Sequence, residues 1–242
     1  TLRLNLGRNL IHREKHADAL AEYEKCLALY RQIPPSTLEE DDQGETDVRG
    51  NMASALSYLL RFDEAVEHVE FALNATRQKL AQRPDDPQKL HILAGLLNTH
   101  GSLRIRQGRP NDAEMLLREA ASTERKAVTL APQVPQYQEW LGNHLFNLAI
   151  LLEVHLHRRT DALPIRQEAL AVWEKLSKEN PAVVVYRLNI ATICADIACT
   201  LQAMDQNTHV SDWYTRARSL LEQVVKDDPA APRPYNALGK CL

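Results

Sequence analysis

This chain of 242 residues is poor in glycine, with eight, and in aromatics, at 5%, and no stretch alternates Val, Ile or Thr with polar residues. These shortages exclude a β-rich protein turned on glycines and leave an all-helical one. Neither sign of charge dominates: 29 Lys and Arg against 32 Asp and Glu give a net charge of −3. That balance supplies no electrostatic footprint for nucleic acid or an anionic membrane. No apolar run approaches the ~20 residues that a membrane span requires, and no signal peptide is visible. The four cysteines, Cys26, Cys194, Cys199 and Cys241, form no Cys-x-x-Cys pair and no disulfide-scaffold spacing, and Cys26 and Cys241 fall at apolar helix positions. We therefore expect reduced, buried thiols and a cytoplasmic compartment. A Gly-rich phosphate loop, His-Arg-Asp and Asp-Phe-Gly are all missing, and no nucleophile, base and positioning group come together. The segment reads as non-enzymatic and without a cofactor.

What the chain does contain is a column of small residues. Gly7 (with Leu6 and Leu10), Ala53 (Met52, Leu56), Gly101, Ala149 (Leu148, Leu152), Ala198 (Ile197, Leu201) and Gly239 recur with apolar neighbours. A second small residue follows at Ala19, Ala65, Ala113 and Ala162, with Val210 in its place in the fifth unit, and a third at Cys26, Ala72, Ala120, Ala169 and Ala217. Between the second and third lie Tyr23, Val69, Leu117, Arg166 and Tyr214. Spacings of three, four and seven put these residues on one stripe of a helix. Small side chains on such stripes let two antiparallel helices approach to about 8–10 Å. The links are punctuated by Pro84-Asp85-Asp86-Pro87, Pro132-Gln133-Val134-Pro135 and Gln107-Gly108-Arg109-Pro110, where Gly stops one helix and Pro begins the next. Gln107 in that turn reads as exposed. The first link differs: residues 34–46 form an acidic loop with Glu39, Glu40, Asp41, Asp42 and Glu45, without the alternating ligand pattern of a calcium loop.

With its closing Tyr235-Asn236-Ala237-Leu238-Gly239-Lys240-Cys241-Leu242 and Pro229 six residues before it, this pattern resembles the tetratricopeptide (TPR) repeat superfamily over nearly the whole chain. Standard TPR units repeat every ~34 residues, but Ala53 to Gly101 and Gly101 to Ala149 are each 48 apart. Ala65, Ala113, Ala162 and Val210 each lie 19 residues before a proline, Pro84, Pro132, Pro181 and Pro229, seven more than in the standard repeat. Seven residues are close to two turns, so each helix lengthens to about 20 residues without rotating its buried stripe. The expected fold is a right-handed all-α solenoid of about five and a half TPR-like hairpins, read as units 1–35, 46–84, 87–132, 135–181 and 184–229, with a sixth starting at 232–242. Unit four has one extra residue between its first two markers, and Arg104 and Arg166 stand where a large apolar residue is usual, so packing around Val154 to Arg166 should depart from the pattern. The long-period style, carried by Gln107 to Glu114, Asn147-Leu148-Ala149 and Trp173-Glu174-Lys175-Leu176 before Pro181, is similar to the repeat tails of bacterial, planctomycete-type serine/threonine protein kinases. The start at Thr1 and the stop inside a new unit read as a segment of a longer chain with neighbouring domains.

The resemblance implies a groove that grips a protein or peptide. Its candidate residues are a polar column two before each first small residue: Asn5, Asn51, Thr99, Asn147 and Asp196, with Arg8, Asn98 and Ser102 beside it. In TPR proteins that clamp a peptide carboxylate, Asn at this position holds peptide backbone, and here only Asn51 with Arg8 matches the arrangement, since Leu4, Gly50 and Gly95 stand where further clamp residues belong. The alternative is that the column caps neighbouring helices or is simply solvated. His12 and His16 bracket a turn, and His155-Leu156-His157 is a basic turn; neither pair has a Cys or carboxylate partner at metal-ligand spacing, so no metal is expected. Trp140, Trp173, Trp213 and Tyr214 read as core anchors.

Overall fold

The structure, a computed structural model, describes residues 2–34 and 44–227. The acidic residues Glu39 to Asp42, Pro229, Cys241 and the closing Tyr235–Leu242 stretch lie outside the described residues. The described residues are all helical in their regular structure, and they gather into two compact halves, Thr1–Leu130 and Ala131–Leu242.

The N-terminal half holds three hairpins, α1 (Leu2–His12) with α2 (His16–Tyr30), α3 (Gly44–Tyr58) with α4 (Phe62–Gln82), and α5 (Pro87–Arg106) with α6 (Pro110–Leu130). The C-terminal half holds two, α7 (Pro135–Ile150) with α8 (Arg159–Glu179), and α9 (Val184–Gln202) with α10 (Val210–Asp227). The two extra turns are present: α4, α6 and α8 each have 21 residues, and α5 has 20. The small-residue columns are where the helices touch. Ala19, Ala53, Ala65, Ala72, Ala113, Ala120, Ala149, Ala162, Ala169, Ala198 and Ala217 are all fully buried. A Cβ added at Gly101 would lie 2.7 Å from Leu117 Cδ2, so only glycine permits that approach.

Local chemistry sets the ends. Pro87 begins α5 behind Asp86, whose side chain accepts from the Lys89 backbone N–H at 3.0 Å; burial pushes its carboxyl up, but the Lys89 ammonium at 2.7 Å, together with that backbone bond, outweighs it and holds the carboxyl below the usual range. Between the helices of each hairpin a residue adopts a left-handed conformation, Glu14, Leu60, Gly108, His157 and Asp205, and in the fifth His209 does so as well. The next N–H then reaches back across the helix end, as in Lys15 to Leu10 O (2.9 Å), Arg61 to Leu56 O (2.9 Å) and Arg109 to Arg104 O (2.8 Å). Only Gly108 marks this turn in the sequence.

Several expectations are refined or change. The extra residue of the fourth hairpin is absorbed by a π-helical turn, Leu151–His155, in which Leu156 N–H bonds Leu151 O at 3.0 Å. The buried stripe therefore keeps its phase on both sides. Glu45 lies in the first turn of α3, where a carboxylate complements the helix dipole and pairs with Arg49 at 2.7 Å, not in a loop. Gln107 is half-buried, donates to Asp63 at 2.8 Å and accepts from Arg104 at 3.0 Å, so it is no neutral surface position. Finally, α9, with 19 residues, is long and apolar enough by length and composition to cross a membrane. It packs between α8 and α10 and is mostly buried there, which is why an interior helix passes that test. Of the cysteines expected to be buried, Cys26 is half-buried, as is Cys199, which faces the Tyr214 hydroxyl at 3.2 Å, while Cys194 is enclosed; none of the three is in a disulfide.

Candidate functional site

In the N-terminal half α1 adjoins α3 and α3 adjoins α5. Arg8 Nε donates to Asn51 Oδ1 at 3.4 Å, and Arg106 Nη1 donates to Ser57 Oγ at 2.6 Å. The structure thus brings together the one pair, Arg8 and Asn51, that matched a peptide clamp. The Asn51 amide is engaged on both sides, because its Nδ2 also donates to Asp47 O at 2.6 Å. Asn5 is exposed on α1. Asn98, Thr99 and Ser102 are half-buried on α5, where Thr99 Oγ1 donates to Gly95 O at 2.9 Å. A Cβ at Gly95 would meet nothing within 4 Å, so the groove face of α5 is open at that point.

The rest of the column lies in the C-terminal half. Asn147 is half-buried on α7. The Asp196 carboxylate is taken up by Arg166, whose Nη1 donates to Asp196 Oδ2 at 3.1 Å and whose Nη2 donates to Glu153 Oε2 at 2.5 Å. Thr200 Oγ1 lies 3.0 Å from the same Glu153 oxygen. Arg166 is 5% exposed, and Glu153 comes from the π-helical turn, which aims it at the guanidinium. An arginine at an apolar position is therefore accommodated by two carboxylates from neighbouring helices, and Asp196 belongs to the interior of this half.

A site that the two-before column did not include lies between α7, α8 and α9. A cleft of about 240 Å³ is lined by Asn143, Phe146, Trp173, Leu188, Asn189, Thr192 and Ile193. No charged side chain lines it. Trp173 is buried at 4% exposure, as expected of a core anchor, yet its ring forms a wall of the cleft. The indole fits because Gly142 stands opposite; a Cβ there would come within 2.6 Å of Trp173 Nε1. Tyr186 tilts against the indole at 5.8 Å, and its hydroxyl bonds Glu139. Burial, then that carboxylate, push the Tyr186 phenol up to about 12. The amides of Asn143 and Asn189 have no hydrogen-bond partner among the described residues. The signal was present one turn earlier in the repeat: six residues before each small marker stand Asp47, Gly95, Asn143 and Thr192. The other aromatics differ from expectation. Trp140 is 38% exposed and tilts over His144, and Trp213 and Tyr214 are half-buried. Their helical register placed them at the margin of the stripe, not its centre.

Residues 1–33 match the tetratricopeptide repeat family TPR_10. No curated protein matches the sequence. Among solved structures, the chain is similar to BtubC (BKLC) from P. vanneervenii, at 16% identity and TM-score 0.68 over 89% of this chain and 76% of that one. It is also similar to the nearly identical TPR-like repeats of a Podosopora anserina kinesin light chain, at 17% identity and TM-score 0.64 over 94% of this chain and 96% of that one. The Rap conjugation gene regulator of plasmid pLS20, solved in complex with the Phr* peptide, aligns at 15% identity and TM-score 0.54 over 98% of this chain and 61% of that one. At such identities the likeness speaks for the fold alone. The chain has the all-α, TPR-like solenoid fold, and its first thirty-three residues match a TPR repeat in sequence as well.

Proposed function

We propose that this chain is a protein-interaction scaffold that grips a segment of a partner protein or peptide on its first-helix faces, with no catalysis of its own. The observation that supports this reading best is the cleft of the C-terminal half. Trp173, Phe146, Leu188 and Ile193 offer an apolar seat, and Asn143 and Asn189 flank it with uncommitted amides. Each amide carries a donor and an acceptor, the pair that a peptide group presents. The Rap regulator, which shares the fold, is solved with a bound peptide, which agrees with this reading. In the N-terminal half, Asn5, Arg8, Asn98 and Ser102 supply a second, polar strip for main-chain contacts, which Asn51 and Thr99 line with side chains already engaged within the chain. A reducing cytoplasm suits Cys26, Cys194 and Cys199, none of which is in a disulfide.

The test is to select binding peptides from a displayed library against the full chain. Affinity is then read from Trp173 fluorescence in a Trp140→Phe, Trp213→Phe background. Asn143→Ala combined with Asn189→Ala should weaken binding tenfold or more, about 1.4 kcal/mol, and Thr192→Phe, which plugs the cleft from a half-exposed position, should abolish the fluorescence response. Affinities untouched by both changes would remove the cleft from the binding surface.

A second reading rests on the Gln107 to Glu114 link and the Trp173-Glu174-Lys175-Leu176 run before Pro181. In it the segment is the substrate-recruiting tail of a bacterial serine/threonine kinase of planctomycete type. A Gly-rich loop, a Val-Ala-x-Lys strand and His-Arg-Asp in the upstream coding DNA are its required accompaniment, and a start codon with none of them ends it.

A further inference from the structure

We propose that Arg49 and His68 form an acid-released latch that holds the first half of α3 against α4. The Arg49 guanidinium is almost enclosed, its side chain 12% exposed, and each of its nitrogens is engaged. Nε and Nη2 donate to Glu45 Oε1 at 2.9 and 2.7 Å, Nη1 lies 3.2 Å from His68 Nδ1, and the plane stacks 3.8 Å over the Phe71 ring. Glu45 and Arg49 belong to α3, His68 and Phe71 to α4, so this one side chain ties the two helices together.

The bond to His68 has only one workable form. A guanidinium is a permanent donor with no lone pair to offer, so the ring nitrogen must accept. That requires a neutral imidazole with its proton on Nε2. Protonation removes the acceptor and sets a second cation against the first. The charges acting on His68 are Arg49 from α3, Glu64 and Glu67 from its own helix, and Arg31 just beyond α2. Burial first and Arg49 second lower its pKa from 6.5, with Arg31 adding to them and the two glutamates opposing. Glu45 is already committed to Arg49. A histidine held neutral in the folded state contributes stability that is complete above the unfolded value of 6.5 and is lost as pH falls below it. Acid therefore frees Arg49 from His68 and loosens its cover over Phe71, which is already partly exposed.

Nitrogen NMR of the full chain tests the geometry directly. The His68 ring should show the Nε2–H tautomer at neutral pH and titrate with a midpoint below 6.5. Thermal unfolding at pH 7.5 and 5.5 tests the consequence. His68→Asn keeps an acceptor near the Nδ1 position but cannot take a proton. It should retain the neutral-pH Tm and lose part of the acid-induced drop, roughly 2–4 °C for a chain of this size per kcal/mol of linkage. An Nδ1–H tautomer, a midpoint at or above 6.5, or an unchanged acid drop in a folded His68→Asn variant would each overturn the latch. If that variant does not fold, the tautomer and midpoint of the unaltered protein decide alone.

Discussion

Eleven residues past the second small marker, the second and third hairpins carry Thr76 and Glu124, and the fourth and fifth carry Trp173 and Leu221. All four are buried. In the N-terminal half the polar side chains are satisfied from within: Thr76 Oγ1 donates to Ala72 O at 2.8 Å, and the fully enclosed Glu124 carboxylate meets His91 Nδ1 at 2.9 Å. These bonds close the position. In the C-terminal half an indole occupies it, Gly142 makes the room, and the ring extends far enough to wall a cleft that its neighbours leave open. One repeat position thus serves as an internal polar tie in one half and as part of a surface concavity in the other. Helical repeats permit this because each hairpin interacts only with its neighbours, so one unit can change a side chain while the small-residue stripe within each hairpin is kept.

The two arginines at apolar positions sharpen the contrast, and they give the largest expected effect. Arg166→Met should take the cation from between Glu153 and Asp196, whose side chains are 14% and 13% exposed, and cost about 3 kcal/mol in urea unfolding. Arg104→Met loses an ion pair whose partner, Glu70, is half-exposed, and should cost less than ~1 kcal/mol. Equal losses for the two would break the argument from burial. Next in size is Gly101→Leu, which pushes a side chain into the space held by Leu117 and should cost about 1–3 kcal/mol. A variant as stable as the parent would mean that α5 and α6 do not meet at Gly101. The smallest effect runs the other way. Gly95 faces open space in mid-helix, so Gly95→Ala should stabilise the chain by about 0.5–1 kcal/mol. It should also leave peptide affinity at the Trp173 cleft unchanged; a loss there would show that the two halves do not bind independently.

Some of this architecture was legible without coordinates. The small residues, the 19-residue intervals to proline and the seven-residue excess are local regularities, and the alanines of the column are all buried. The Arg8–Asn51 contact was legible too, because two first helices at the same register bring matching residues side by side. The turns were readable only at Gly108. Glu14, Leu60, His157 and Asp205 take the same left-handed conformation against their own preference, because the bond across the helix end holds them there. The extra residue near Val154 was visible as a count, but a count does not say whether a loop or the helix absorbs it. Asp196 looked like a groove residue until Arg166 was seen to reach it from α8.

The sequence by itself determined the helices, their length, their pairing and the stripe on which they meet, since all of these follow from residue types repeated at helical spacing. The tertiary structure alone decided which polar groups are left over. Whether an asparagine is engaged, as Asn51 is, or uncommitted, as Asn143 and Asn189 are, depends on what neighbouring helices bring within about 3 Å. So does the cleft, which exists because a tryptophan on one helix found a glycine on the next. Periodicity specifies a face, and only packing specifies which atoms on that face remain free to bind.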